Sequence, residues 1–314
     1  MKKFLALAIM SILLLPNFTN ARTHTIVEKD SYGSGLYTSG VMNGNFLFVN
    51  MSRSRIDILD LSDTSNVTLF GTLEVPCTVF DIAIDGDILA AGCSHFIHFY
   101  NVSDAANPVS VGTYDNGSEW VNEYIFENNR LYLANESTES IVLDTTDTNN
   151  LVELSRIELD FYTRIRLHKA GDHLYTVQGY DFAGIYDVSD ANDIQLVSEY
   201  EDPTRQIFDV TVIDETLYLS HADGVQVVDI TTPSNPVFIK DHFPTPNSGT
   251  FGRPWSLISE GNQIFIGTQE GEVAQLDLSD PLNPVDLTFH DISGFWITDL
   301  MMFGQSLLTF SEHG

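Results

Sequence analysis

A chain of 314 residues with 44 acidic side chains against 14 lysines and arginines carries a formal charge of −30. A chain of that length buries roughly three quarters of its unfolded surface, so a large core is available. The negative field repels nucleic acid and anionic lipid, which argues against both as partners, while it favours solubility and the accumulation of cations.

The first element is not a folding unit. Lys2 and Lys3 precede an apolar run from Phe4 to Leu15, and a short polar segment then ends at Ala21, which is the layout of a secretory signal peptide. The run is too short to span a bilayer comfortably, and no cysteine lies near the cleavage site to take a lipid. Residues 1–21 are therefore expected to be removed on Sec-type export, with a retained N-terminal anchor as the alternative. Residues 22–314 are expected to form one β-propeller domain, secreted, periplasmic or associated with the cell surface, monomeric and without stable membrane insertion. The mature chain would hold 44 acidic against 12 basic residues, a charge of −32. Composition alone leaves open whether that acidity suits a saline habitat or a cationic partner.

From there the chain repeats. Asp60-Leu61-Ser62-Asp63, Asn101-Val102-Ser103-Asp104, Asp144-Thr145-Thr146-Asp147, Asp187-Val188-Ser189-Asp190, Asp229-Ile230-Thr231-Thr232 and Asp277-Leu278-Ser279-Asp280 recur at intervals of 41, 43, 43, 42 and 48. Each closes a β-like run, and Asn, Asp or Pro follows within four residues, as in Asn107-Pro108 and Asn283-Pro284. These residues make turns for identifiable reasons: Asp and Ser bond back to the local backbone, Asn tolerates unusual dihedrals and Pro fixes its φ. The five additional residues before Asp277 fall in the Pro/Gly/Ser-rich stretch Pro244 to Gly252.

Between turns each unit carries four short runs rich in β-branched and aromatic residues. In the third unit they are Val121–Phe126, Arg130–Ala134, Glu139–Asp144 and Leu151–Leu159. Short strands in fours at this period predict the blades of an all-β propeller. Six complete units run from Thr38 to Asp291, and Ile297–Phe303 with Ser306–Phe310 begin a seventh. Ile26–Tyr32 aligns with outer strands and is expected to complete that seventh blade as a three-stranded composite, with a six-bladed ring as the alternative. In the second unit, Cys77 and Cys93 bracket a hairpin turning at Asp85-Gly86, close enough to be bonded if the strand carries a small bulge.

Leu217-Tyr218-Leu219 followed by Gly224 to Pro236 resembles the LVIVD repeat family, and Gly271 to Pro284 and Phe96 to Pro108 resemble it more loosely. The units at Glu139–Asn150 and Phe182–Ile194 depart from its usual Asn-Pro ending. The resemblance implies a propeller of bacterial or archaeal surface and secreted proteins. It supplies no catalytic residues.

Chemistry on such a fold belongs at a ring end. Aligning the innermost strands gives a column of Gly40, Asp81, Glu123, Arg166, Asp209, Ser256 and Asp299. Asp81, Glu123, Asp209 and Asp299 could hold a cation, Ca2+ being the metal suited to carboxylates, or could simply bond to the backbone of adjacent blades. No cofactor is required. Arg164, Arg205 and Arg253 approach three successive inner strands, with Arg166 one step further in, and Tyr37, Trp120, Tyr162, Trp255 and Trp296 arrive at the same end. Guanidinium forks grip carboxylates and aromatic faces stack on sugars. This predicts a binding or protein-interaction propeller recognising an anionic glycan, another carboxylated small molecule or a surface protein. The alternatives are a carbohydrate-active hydrolase or lyase using Glu119 and Asp209 beside Tyr162 and Arg205, or a purely structural surface protein.

Overall fold

A computed structural model describes residues 10–14, 27–32, 38–50, 53–117, 121–135, 139–158, 165–178, 182–202, 204–246, 251–292 and 296–312. Two strands, β1 (Met10–Leu14) and β2 (Val27–Tyr32), precede six repeats of four. The first three repeats are β3–β6 (Ser39–Asn43, Phe46–Asn50, Arg55–Asp60, Thr68–Glu74), β7–β10 (Asp81–Asp85, Ile88–Gly92, Phe96–Asn101, Val109–Asp115) and β11–β14 (Val121–Glu127, Arg130–Asn135, Glu139–Asp144, Val152–Glu158). The next three are β15–β18 (Ile165–Ala170, His173–Gln178, Phe182–Asp187, Gln195–Glu201), β19–β22 (Ile207–Ile213, Thr216–His221, Gly224–Asp229, Val237–His242) and β23–β26 (Pro254–Glu260, Gln263–Thr268, Glu272–Asp277, Val285–Asp291). β27 (Trp296–Phe303) and β28 (Ser306–Glu312) end the chain.

Each repeat is one antiparallel four-stranded sheet, giving six contiguous blades of an all-β propeller. The expected seventh, a three-stranded composite closed by Ile26–Tyr32, is not formed. The hairpin of β27 and β28 instead lies in a differently built sheet of order β2-β1-β28-β27. Ser11 to Leu14 pair with Thr309 to Ser306, and β2 pairs with β1 rather than with β28. The physical reason is that an apolar run of this length reads alike as an export segment or as a buried strand, and periodicity cannot separate them.

The chain divides into two compact units, residues 39–62 with 68–203, and residues 1–38 with 63–67 and 204–314. In the first, the inner strands β3, β7, β11 and β15 pack in succession; in the second, β19, β23 and β27 do. Strand alternation builds the core on both faces of each blade. On β8, Leu89 and Ala91 face the β3–β6 sheet, while Ala90 turns to the cluster of Tyr124, Leu131 and Ile141. On β24, Ile264 and Ile266 join Tyr218 and Val225, while Phe265 joins Ile297 and Leu300. Burial on both faces explains why these strands read as nearly continuous apolar runs.

The turns work as their composition implies. Asp60, Asp144, Asp187, Asp229 and Asp277 each accept the backbone N–H two residues on, at 2.8–2.9 Å, and Asn101 does so at 3.0 Å. The bonds from Ser62, side chain first and then backbone, hold Asp60 below the usual carboxylate range. In all six repeats the outer pair of strands also carries a register shift, as between Ile58 and Leu59 and between Val227 and Val228. Among the described residues no helix is long and apolar enough to cross a membrane.

Candidate functional site

The carboxylate column links blades. Asp81 Oδ2 accepts the backbone N–H of Tyr124 at 3.0 Å, Glu123 Oε2 that of Leu167 at 2.7 Å, and Asp209 Oδ2 that of Leu257 at 2.8 Å. Each acceptor therefore reaches the residue just after its own counterpart in the next inner strand. Inner strands of neighbouring blades are not paired as a ladder, so their N–H groups need side-chain acceptors. Asp209 Oδ1 also takes the N–H of Val210, and Asp299 Oδ1 that of Leu300, both at 2.8 Å. Arg166 lies 3.4 Å from Glu123. Burial pushes the Asp81 carboxyl up to about 6, against bonds from Ile82, Ser39 and Tyr124 and the charge of Arg166. Both Asp209 oxygens serve backbone donors, which ties to structure a residue the enzymatic reading had assigned to chemistry.

Two of the approaching arginines lie among the described residues, and their surroundings differ. Arg205 is held by its own blade: Nη2 donates to Asp241 at 2.8 Å, Nη1 lies 3.7 Å from Asp223, and the guanidinium sits 5.6 Å above the Phe243 ring. Asp241 comes from β22 and Asp223 from the turn before β21, so the fold has already neutralised this charge. On an outer strand Arg156 is likewise paired, with Glu153 at 2.9 Å and with Glu139. Arg253 is exposed, and among the described residues no carboxylate pairs with its guanidinium, which lies 5.7 Å above the Phe208 ring. Its main chain is fixed instead, the N–H donating to Glu270 at 2.7 Å.

From Arg253 a continuous ladder runs across three inner strands. Phe208 stacks on Trp255 with ring centres 5.2 Å apart and planes 27° apart, and Trp255 meets Trp296 edge-on at 4.8 Å and 82°. Local irregularity aims these rings. Ile207 faces His221 and Asp209 faces Ser220, leaving Phe208 as the extra residue of a bulge. Trp255 is the extra residue between Pro254, opposite Thr268, and Ser256, opposite Gly267. A bulge takes one side chain out of strict alternation, which is how it re-aims side chains at functional sites. Gly267 admits the next strand: a Cβ there would come within 2.5 Å of both Ile297 Cγ2 and Ser256 Oγ. Ser256 Oγ and Trp296 Nε1, both buried, have no hydrogen-bond partner among the described residues.

The sequence-derived candidates thus divide. Arg253, Trp255 and Trp296 meet, Arg205 is tied to acidic neighbours, and Tyr37, Trp120, Tyr162, Arg164 and Glu119 lie outside the described residues. Phe208 was missed, although its signal was present: it precedes Asp209 as Trp255 precedes Ser256 in the aligned column. Cys77 and Cys93 form a disulfide, with Cα atoms 6.0 Å apart.

Comparison with known proteins adds the fold and a repeat. The LVIVD repeat model matches residues 39–75, the span of the first blade. No curated protein matches the chain. Among solved structures, a protein from Lactobacillus plantarum superposes with a TM-score of 0.72 at 11% identity, covering 91% of this chain and 97% of that one. A computationally designed protein gives 0.67 at 13% identity, over 96% of this chain and 94% of its own. BamB from Moraxella catarrhalis gives 0.57 at 13% identity, over 91% and 87%. At these identities the likeness is one of fold, an all-β repeat propeller resembling those built from LVIVD repeats.

Proposed function

We propose that the chain is an exported binding propeller that recognises a carboxylated ligand, with an anionic glycan as the favoured class, at the Arg253–Phe208–Trp255–Trp296 ladder. One observation carries the reading: in a chain with a charge of −30, an exposed guanidinium stands over an aromatic ring with no carboxylate paired to it among the described residues. Such a surface would ordinarily recruit an acidic neighbour, as Arg205 and Arg156 do. A guanidinium left open beside two indoles suits a planar anion with an apolar face, the charge gripping the carboxylate and the rings stacking on the sugar. The long-range field opposes capture of an anion, so short charge-assisted contacts must supply the affinity. Export is supported by Lys2, Lys3 and the apolar run that follows, whose residues Met10–Leu14 form β1 in the full-length chain and would be lost on cleavage.

Calorimetric titration of the exported protein against neutral and uronate-containing oligosaccharides tests the reading. Arg253→Ala is expected to weaken uronate binding by about 2 kcal/mol, or roughly thirtyfold, as for loss of one charge-assisted bond. Arg205→Ala is expected to change it little. Equal binding of neutral and uronate ligands, or equal affinity of parent and Arg253→Ala, would overturn it.

A further inference from the structure

The disulfide has a third partner. One ring nitrogen of His98 and the sulfurs of Cys77 and Cys93 all lie within 4.8 Å of one another, the one such grouping of Cys, His, Asp and Glu among the described residues. The strands explain it. His98 on β9 stands opposite Ala91 on β8, and Cys93, two residues beyond Ala91, shares that face of the sheet. Cys77 packs against the same cluster from the segment entering β7.

We propose that, when the disulfide is reduced, Cys77, Cys93 and His98 form a Cys2His site for a thiolate-seeking cation of the zinc class. Two thiolates and an imidazole are the ligands that borderline and soft cations prefer, and carboxylate-seeking Ca2+ is disfavoured by them. With Zn–S near 2.3 Å and Zn–N near 2.0 Å, tetrahedral ligand atoms stand roughly 3.3–3.8 Å apart, so after reduction the sulfurs must separate and the imidazole must close on them from a spacing of at most 4.8 Å. His98 is prepared for ligation. Its Nδ1 lies 3.1 Å from Thr113 Oγ1 on the next strand, which fixes the ring and leaves Nε2 as the ligating nitrogen. Cys93 is 1% exposed, whereas Cys77 and His98 are partly open, so an ion can enter from their side. Three protein ligands leave a fourth position for water or a ligand from solution.

Two electrons and two protons from an external dithiol, itself oxidised to its disulfide, convert the Cys77–Cys93 bond into two thiols; the cation then displaces both thiol protons. Ion and disulfide are mutually exclusive states of the same pair, so a newly exported, still reduced chain meets the ion and the oxidant in competition.

The test uses the full exported protein, reduced anaerobically, freed of reductant, shown to carry two thiols, and titrated with Co2+ as a spectroscopic stand-in and then with Zn2+. One Co2+ per chain with thiolate charge-transfer absorption is expected, displaced by Zn2+, while the oxidised parent shows no such bands. His98→Gln keeps both thiols and should lose at least about tenfold in affinity for the ion, with the melting temperature of its oxidised form confirming that it folds. Cys77→Ser should lose the bands. Reduced parent without thiolate bands, or His98→Gln binding as tightly as the parent, would overturn the assignment.

Discussion

Asp81 makes the most demanding prediction about how the blades are joined. Its carboxyl accepts the Tyr124 N–H from the next blade and is pushed up to about 6 from the ordinary aspartate value of 3.8, with burial as the dominant cause. The folded protein therefore binds the Asp81 proton more tightly than the unfolded chain does. The sign follows: below pH 3.8 both states are protonated and the site is neutral to stability. As pH rises from there through 6, the folded state bears a growing cost of holding a charge, constant above that. A shift of about two units corresponds to roughly 3 kcal/mol, and partial exposure of the residue reduces this to about 1–3 kcal/mol. Asp81→Asn keeps an acceptor for Tyr124 and cannot ionise. Its stability relative to the parent is expected to improve by about 1–3 kcal/mol between pH 4 and pH 7.5. Urea unfolding of both proteins at several pH values and fixed ionic strength measures that difference, and carboxylates unaffected by the substitution, such as Asp60 and Asp229, cancel from it. A difference independent of pH would refute the reasoning.

Asp209→Ala removes the acceptor of both the Leu257 and the Val210 N–H and should cost about 1–3 kcal/mol in urea unfolding, of which Asp209→Asn, with one oxygen for two donors, should recover only part. Tyr124 Oη is buried with no partner among the described residues, so Tyr124→Phe should be neutral or mildly stabilising, and a loss above about 1 kcal/mol would show that the hydroxyl is satisfied in solution. Gly92 abuts that ring, a Cβ there falling 2.0 Å from Tyr124 Oη and 2.3 Å from Cε2; Gly92→Ala should lower the melting temperature in the parent and in Tyr124→Phe alike, because the ring carbons remain.

What the sequence disclosed and what it withheld differ by range. Turns such as Asp60 to Ser62 were legible because donor and acceptor are two residues apart, and the strand runs because both blade faces are buried. The inner column was legible as an alignment, and alignment already allowed that its carboxylates bond to neighbouring blades. The chain-end pairing was not, since any apolar run satisfies a buried edge. The two arginines show the same boundary at the site. Arg205 and Arg253 look alike along the chain, yet Arg205 stands four residues before Asp209 and Arg253 three before Ser256. Both precede the strands they approach, β19 and β23, so strand alternation does not set where either side chain goes. Asp241, 36 residues from Arg205, then decides which charge is spent. The bulges at Phe208 and Trp255 add a second shift of phase that no spacing rule reads, because an extra residue in one strand is defined only by its partner strand. A site made by such offsets is specific for the same reason that it is hard to foresee. Removing the Phe208 bulge returns that ring to strict alternation, and Arg253 then loses the aromatic support that distinguishes it from every other described arginine except Arg205.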